Sequence, residues 1–211
     1  MIITVANQKG GAGKSTIVIN IALILAGLSR KPTVALVDTD KQRSCVQTLQ
    51  GHERENLKIY EAAEKPDKVI QELSEKFIIV DTPPHSHEIA HLAAALSDVV
   101  IIPVQPSPLD IRAAADTVQA LQAIQKHMPN LQCCFLVNRI AGGTILAKEI
   151  KSTLERFYPF PVLETMLHDR QAYKQSLITG QSVLEYDKRS AAAQEMEKLV
   201  IEIVKAAKNI K

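Results

Sequence analysis

Short apolar runs alternate along the chain with longer stretches in which apolar residues recur every three or four positions. Ile2-Ile3-Thr4-Val5-Ala6, Thr33-Val34-Ala35-Leu36-Val37, Phe77-Ile78-Ile79-Val80, Val99-Val100-Ile101-Ile102 and Cys134-Phe135-Leu136-Val137 are apolar on both faces of an extended chain. That is the pattern of strands buried in a parallel sheet covered by helices. The intervening spacing predicts helices over 15–29, over 109–128 with Ala114, Val118, Leu121 and Met128 on one face, and over 191–208. The last carries a stripe of Met196, Leu199, Val200, Ile203, Val204 and Ala207. Strand and helix in turn give an α/β fold, a mostly parallel sheet flanked by helices with right-handed crossovers. No repeat, low-complexity tract or Pro/Gly linker divides the chain, so residues 1–211 are expected to form a single domain, with no room for another ahead of the first strand.

In an open sheet of this kind, ligands bind at the carboxyl ends of the strands. Asp38, Asp81 and Asn138 each follow a strand directly, as does a glycine-rich loop. Four polar features therefore converge on one edge.

Composition narrows the possibilities further. Hydrophobic residues at 46% and charged residues at 23% are ordinary for a globular domain. A net charge of +2 leaves any nucleic-acid surface to a local patch, and 4% aromatics with no Trp argue against a surface of stacked single-strand bases. Cys45, Cys133 and Cys134 have no metal-ligand spacing, and their odd number fits a reducing compartment. Neither a signal peptide nor an apolar run of the roughly 18 residues needed for a membrane span is present, so a cytoplasmic protein is expected.

Gln8-Lys9-Gly10-Gly11-Ala12-Gly13-Lys14-Ser15-Thr16 lies between a predicted strand and a predicted helix. Glycines let successive backbone N–H groups turn inward toward phosphate oxygens, and the helix that follows adds its positive end. Lys14 is placed to reach the β- and γ-phosphates and the Ser15 hydroxyl to ligate Mg²⁺. The strict GxxxxGK[ST] pattern is not met, because Gln8 stands at its first position.

Lys9 to Thr16 resembles the deviant Walker A motif, KGGxGK[ST]T, of the ParA/MinD family of P-loop ATPases. The resemblance runs from residue 2 to about residue 200. It implies an ATP- and Mg²⁺-binding switch with weak ATPase activity, in which Lys9 matches the signature lysine that reaches the partner's phosphates across an ATP-dependent homodimer. Lys9, Gly10, Gly11, Ala12, Gly13, Lys14, Ser15 and Thr16 would then cradle the nucleotide. Val37-Asp38-Thr39-Asp40-Lys41-Gln42 is similar to the family's DxDPQ segment, with Lys41 where proline is usual. By that resemblance Asp40 positions the attacking water, catalysis falls to Lys9, Lys14 and Asp40, and the metal to Ser15, Asp38 and Asp81. Ile79 to Pro84 resembles the Walker B and switch II segment, and Asn138 matches the position expected to hydrogen-bond adenine.

Pro106-Ser107-Pro108-Leu109-Asp110 and Ser182-Val183-Leu184-Glu185-Tyr186-Asp187 resemble stretches of the small plasmid-partition ParA proteins that lack an N-terminal helix-turn-helix domain. That likeness implies a nucleoid-associated protein that binds non-specific double-stranded DNA as an ATP dimer and has its hydrolysis stimulated by a ParB-like centromere-binding partner. Arg156, Arg170, Lys174, Lys188 and Arg189 are the candidate DNA contacts. The alternative is a MinD-like ATPase that positions a membrane or protein cargo. The last helix is amphipathic but lacks the Trp or Phe anchors of an interfacial helix, which disfavours the membrane version.

Overall fold

The computed structural model describes residues 1–28, 30, 33–141 and 144–208. Six strands form a single parallel sheet: β1 (Ile2–Val5), β2 (Val34–Asp38), β3 (Leu57–Glu61), β4 (Phe77–Asp81), β5 (Val99–Val104) and β6 (Gln132–Val137), in the order β3-β2-β4-β1-β5-β6. The helices are α1 (Lys14–Ala26), α2 (Ser44–Leu49), α3 (Pro66–Glu72), α4 (His87–Ala94), α5 (Pro108–Gln125), α6 (Thr144–Phe157), α7 (Gln171–Ile178), α8 (Val183–Tyr186) and α9 (Ala191–Lys208).

Alternation within the strands divides the core in two. Ile3, Val5, Leu36, Ile79, Ile101 and Leu136 point to one face, under α1, α2, α7, α8 and α9. Their neighbours Val37, Val80, Val100, Ile102 and Phe135 point to the other, under α3 to α6. Because both faces are covered, the strands read as unbroken apolar runs rather than alternating ones. The helix α1 is buried on every side, between the sheet and α9, so it has no polar face to display.

The structure departs from the sequence pattern where polar residues or proline disguise an element. β3 carries Lys58 and Glu61 and buries only Leu57 fully, as an edge strand does, and apolar content alone did not mark it. β5 continues through Pro103, where a missing N–H should end a strand. The position tolerates proline because residue 101 faces β1, whose ladder closes with the Ala6 N–H on Ile101 O. Pro103 therefore faces a strand that has already ended, and its carbonyl accepts from Asn7 Nδ2 at 2.7 Å. α5 starts one residue earlier than the spacing predicts and stops at Gln125, leaving Met128 beyond it and 42% exposed. α1 ends at Ala26, and Ser29, its expected last residue, lies outside the described residues.

The stripe predicted for α9 is used in the core: Met196, Leu199, Val200, Ile203 and Ala207 are buried and Val204 packs against them. No helix among the described residues is long and apolar enough to cross a membrane. Since α9 covers the sheet, Leu199→Ala is expected to lower stability by about 2–5 kcal/mol in urea unfolding, while Ile201→Ala on the exposed face changes it by no more than about 0.5 kcal/mol. Equal, small effects would mean that α9 is not a core helix.

Candidate functional site

Pairing of β1, β2 and β4 sets the site. Val5 and Asp38 both lie in register with Asp81, so the loop after β1 and two carboxylates emerge side by side. Gly11 and Gly13 take φ of +75° and +91°, and a Cβ on Gly13 would stand 2.5 Å from Asn138 Nδ2. Only glycine fits there, on backbone and spatial grounds alike. The loop's own carbonyls are braced from the far side of the sheet. Asn138 Nδ2 donates to Ala12 O at 2.8 Å and Gln105 Nε2 to Gly11 O at 3.0 Å.

The loop opens onto a cleft of about 200 Å³, lined by Gly10 to Thr16 together with Asp40, Gln42, Ser44, Thr82, Pro84 and Arg139. Lys14 is 6% exposed and its Nζ donates to Lys9 O at 3.3 Å. Burial pulls its ammonium below the usual lysine range, against the opposing pull of Asp81 and Asp40. Lys9 is not among the cleft residues. Its Nζ forms a 2.7 Å ion pair with the buried Asp110 at the start of α5. The two lysines of the motif thus face different ways, Lys14 into the cleft and Lys9 out to its rim.

Asp81 is fully buried. Ser15 Oγ donates to its Oδ2 at 2.6 Å and Cys45 Sγ at 3.2 Å, while its Oδ1 has no hydrogen-bond partner. Burial, partly offset by those two hydrogen bonds, raises its pKa to about 6. An orphaned buried carboxylate oxygen beside a serine hydroxyl is what a Mg²⁺ ion fits, since Mg²⁺ needs one or two protein oxygens and takes phosphate oxygens and water for the rest. Among the described residues no cluster of three or more His, Cys, Asp and Glu is arranged for a metal.

Asp38, the other carboxylate expected at the metal, is engaged mainly by backbone amides. Its Oδ1 accepts from Asp40 N–H at 3.1 Å, and its Oδ2 from Cys45 and Val46 N–H at 2.9 and 3.2 Å. It closes the turn and the first residues of α2, and adds negative charge next to Asp81. Asp40 lines the cleft with its Oδ1 accepting from Gln42 N–H at 2.9 Å. These carboxylate-to-amide bonds, with Arg43 N–H on Asp40 O and Arg43 at φ +55°, shape the turn without the usual proline, and Lys41 stays exposed.

A second cavity of about 140 Å³ adjoins the first and shares Gly13, Thr16 and Arg139 with it. Asn138 lines it, but its Nδ2 is given to Ala12 O and its Oδ1 accepts from Arg139 N–H. Asn138 thus braces the phosphate loop with one N–H and one lone pair, and keeps a second of each on the cavity side expected for adenine. Arg139, at φ +56° between the two cavities, is not marked by the sequence pattern; its place two residues beyond β6 is the available signal.

The five basic residues proposed for DNA do not form one patch. Arg156 is exposed on α6, over the opposite sheet face from α7 to α9. Arg170 lines the second cavity and is bonded to Glu195 at 2.6 and 3.0 Å, which removes it as a free phosphate contact. Lys174 on α7 is exposed but also lines that cavity, and Lys188 and Arg189 before α9 are exposed. The two stretches taken as ParA-like have local structural reasons. Ser107 caps α5 with Pro108 following, and Ser182 and Glu185 form a capping box on α8, whose Val183 N–H donates to Asn20 on α1 at 2.8 Å.

Asp81 gives the nucleotide-free protein a pH signature. Its folded pKa, about 6, exceeds that of an unfolded carboxyl, so its contribution to stability is complete below about pH 4 and is lost as pH rises through 6. Wild type is therefore expected to lose up to ~3 kcal/mol relative to Asp81→Asn between pH 4 and 7 in metal-free thermal melts. A pH-independent difference would contradict the raised pKa.

Comparison with known proteins places this geometry. Residues 3–183 match the CobQ/CobB/MinD/ParA nucleotide binding domain. The chain is 30% identical over 211 residues to "Maintenance of carboxysome distribution protein A" of Halothiobacillus neapolitanus, covering 96% of this chain and 95% of that protein. It is 25% identical over 237 residues to the chromosome-partitioning ATPase Soj of Thermus thermophilus, covering 96% and 94%. Among solved structures, the Pyrococcus furiosus cell division ATPase MinD superposes with a TM-score of 0.77 at 19% identity over 97% of this chain and 98% of that one. The chain belongs to the ParA/MinD family of P-loop nucleotide-binding proteins.

Proposed function

We propose that this protein is an ATP-dependent dimerising switch that binds Mg-ATP, associates with a second copy, engages non-specific double-stranded DNA in that state, and hydrolyses ATP slowly to reset. The observation that carries the reading is the division of labour between the two lysines. Lys14 is sunk in its own cleft, while Lys9 is held at the rim by Asp110, outside that cleft and partly exposed. A cation so placed serves a phosphate group presented by another molecule better than one bound in its own loop.

The residues divide the chemistry among them. The loop amides and Lys14 hold the β- and γ-phosphates; Ser15 and Asp81 would hold Mg²⁺, which would supply neutralisation of phosphate charge. Asp40, at the cleft wall, orients the attacking water in line with the leaving group. Lys9 of one copy adds positive charge where negative charge develops on the other copy's γ-phosphate, so hydrolysis waits for pairing. The cavity shared by Gly13, Thr16 and Arg139 receives the nucleoside. Lys188 and Arg189 are the basic residues left for DNA phosphates, since Arg170 and Lys174 line the nucleoside cavity and Arg156 lies over the opposite sheet face.

The cargo has two readings. One is DNA partition, a plasmid or chromosome with a ParB-like centromere-binding partner that stimulates hydrolysis, supported by the likeness to Soj. The other is a protein cargo moved by the same switch, supported by the likeness to the carboxysome distribution protein. Both use the same nucleotide cycle. A membrane cargo is disfavoured because the stripe of α9 is already buried in the core.

Binding to non-specific duplex at several salt concentrations, with no nucleotide, ADP and ATP, tests the proposal in wild type and Lys9→Ala. Salt-sensitive binding only with ATP is expected, with log K falling by about 0.9 per unit log salt for each phosphate neutralised, and the variant is expected to lose it. Dimers that form with ATP yet never bind DNA would reject the DNA part and bring protein cargo forward. Unchanged dimerisation in Lys9→Ala would reject the role given to Lys9.

A further inference from the structure

One wall of the cavity beside the phosphate loop is held in place by a carboxylate reaching in from the last helix. Glu195 lies early in α9, with its side chain 15% exposed. Five hydrogen bonds reach it, all from residues 168–173. His168 donates its backbone N–H to Oε2 at 3.2 Å, and its Nδ1 lies 2.8 Å from Oε1. Arg170 gives Nε and Nη2 to Oε1 at 3.0 and 2.6 Å, and the Tyr173 hydroxyl lies 3.3 Å from Oε2. Burial pushes the carboxyl up, but the Arg170 and His168 hydrogen bonds outweigh it and hold the group below the usual glutamate range.

His168, Arg170 and Tyr173 all line the cavity, facing Gly13, Thr16 and Arg139 of the loop side. The backbone of the same segment is fixed separately. Leu167 N–H donates to Val137 O, Ile140 N–H to Leu167 O and Asp169 N–H to Ile140 O, at 3.0 to 3.1 Å. The main chain at 167–169 is thus tied to the strand end that carries Asn138 and Arg139, and the carboxylate governs the side chains.

Stability alone does not account for this arrangement. α9 is anchored by Met196, Leu199 and Ile203, each at most 1% exposed, without help from Glu195. A partly buried ion pair contributes little net stability once desolvation is counted. What it does supply is direction: a guanidinium bonded through Nε and Nη2 cannot swing, and its flat face suits an aromatic base.

We propose that Glu195 is a positioning residue for the base of the bound nucleotide, fixing Arg170 and His168 as the wall against which a purine ring lies. This rests on reading the two adjoining cavities as one nucleotide site. It also gives Arg170, first taken for a DNA contact, a place in ligand recognition.

Equilibrium binding of ATP and of inorganic tripolyphosphate, both with Mg²⁺, separates the possibilities in wild type, Glu195→Gln, Glu195→Ala and Arg170→Ala. Tripolyphosphate has no base, so it reports on the phosphate loop alone. Wild type is expected to prefer ATP. The three variants are expected to lose about tenfold in ATP affinity, roughly 1.4 kcal/mol, with tripolyphosphate binding unchanged. Glu195→Gln keeps the shape of the side chain, so it remains informative if Glu195→Ala folds poorly. Parallel loss of both ligands would mean a merely structural role, and unchanged ATP affinity would remove Glu195 from base positioning; either overturns the proposal. A wild type that binds the two ligands equally overturns the base-site reading as well, and one that binds neither overturns the nucleotide site itself.

Discussion

Two carboxylates and an ammonium are kept out of water at the ends of three adjacent strands, and much of the surrounding structure exists to make that tolerable. Asp38, Asp81 and Lys14 are 1%, 0% and 6% exposed. Isolated charges in such surroundings are costly, so each must be hydrogen-bonded, paired or ready to receive a ligand. Asp38 is satisfied by three amides, and Lys14 is offset by Asp81 and Asp40. Asp81 is left with one oxygen unpartnered and holds its proton more tightly than an exposed carboxyl does. Site and fold therefore share one electrostatic constraint.

Much of this is legible in the sequence. Strands buried on both faces announce themselves as apolar runs, and the carboxyl edge then gathers Asp38, Asp81, Asn138 and the glycine loop by topology alone. The phosphate loop was legible because glycines, a lysine and a hydroxyl at fixed spacing have few other uses between a strand and a helix. β3 was hidden because an edge strand keeps polar residues on its open side, and Pro103 hid the last residues of β5 because its tolerance depends on where the neighbouring strand ends.

Side-chain pairing was the part least open to sequence reading. Asp38 stands at a strand end like Asp81, yet its carboxylate takes three amide partners from the following turn and helix where that of Asp81 takes none. Arg170 looks like a free cation, yet Glu195, 25 residues onward, claims it. Lys9 and Asp110 are 101 residues apart and meet only because β1 and β5 are neighbours. Spacing can identify which residue types are available; which partner each accepts is decided by the tertiary fold.

The burial of α1 on every side has a consequence for how such a protein drifts over generations. A helix with a solvent face can absorb substitutions there at little cost, but α1 has none, and the phosphate loop is its direct continuation. Volume changes anywhere along it displace the loop, since a packed interior transmits strain rather than absorbing it. The molecule should thus tolerate extensive change on the outward faces of its peripheral helices while its central helix stays nearly fixed, so that the outer surface can be remade with the nucleotide-binding fold left intact.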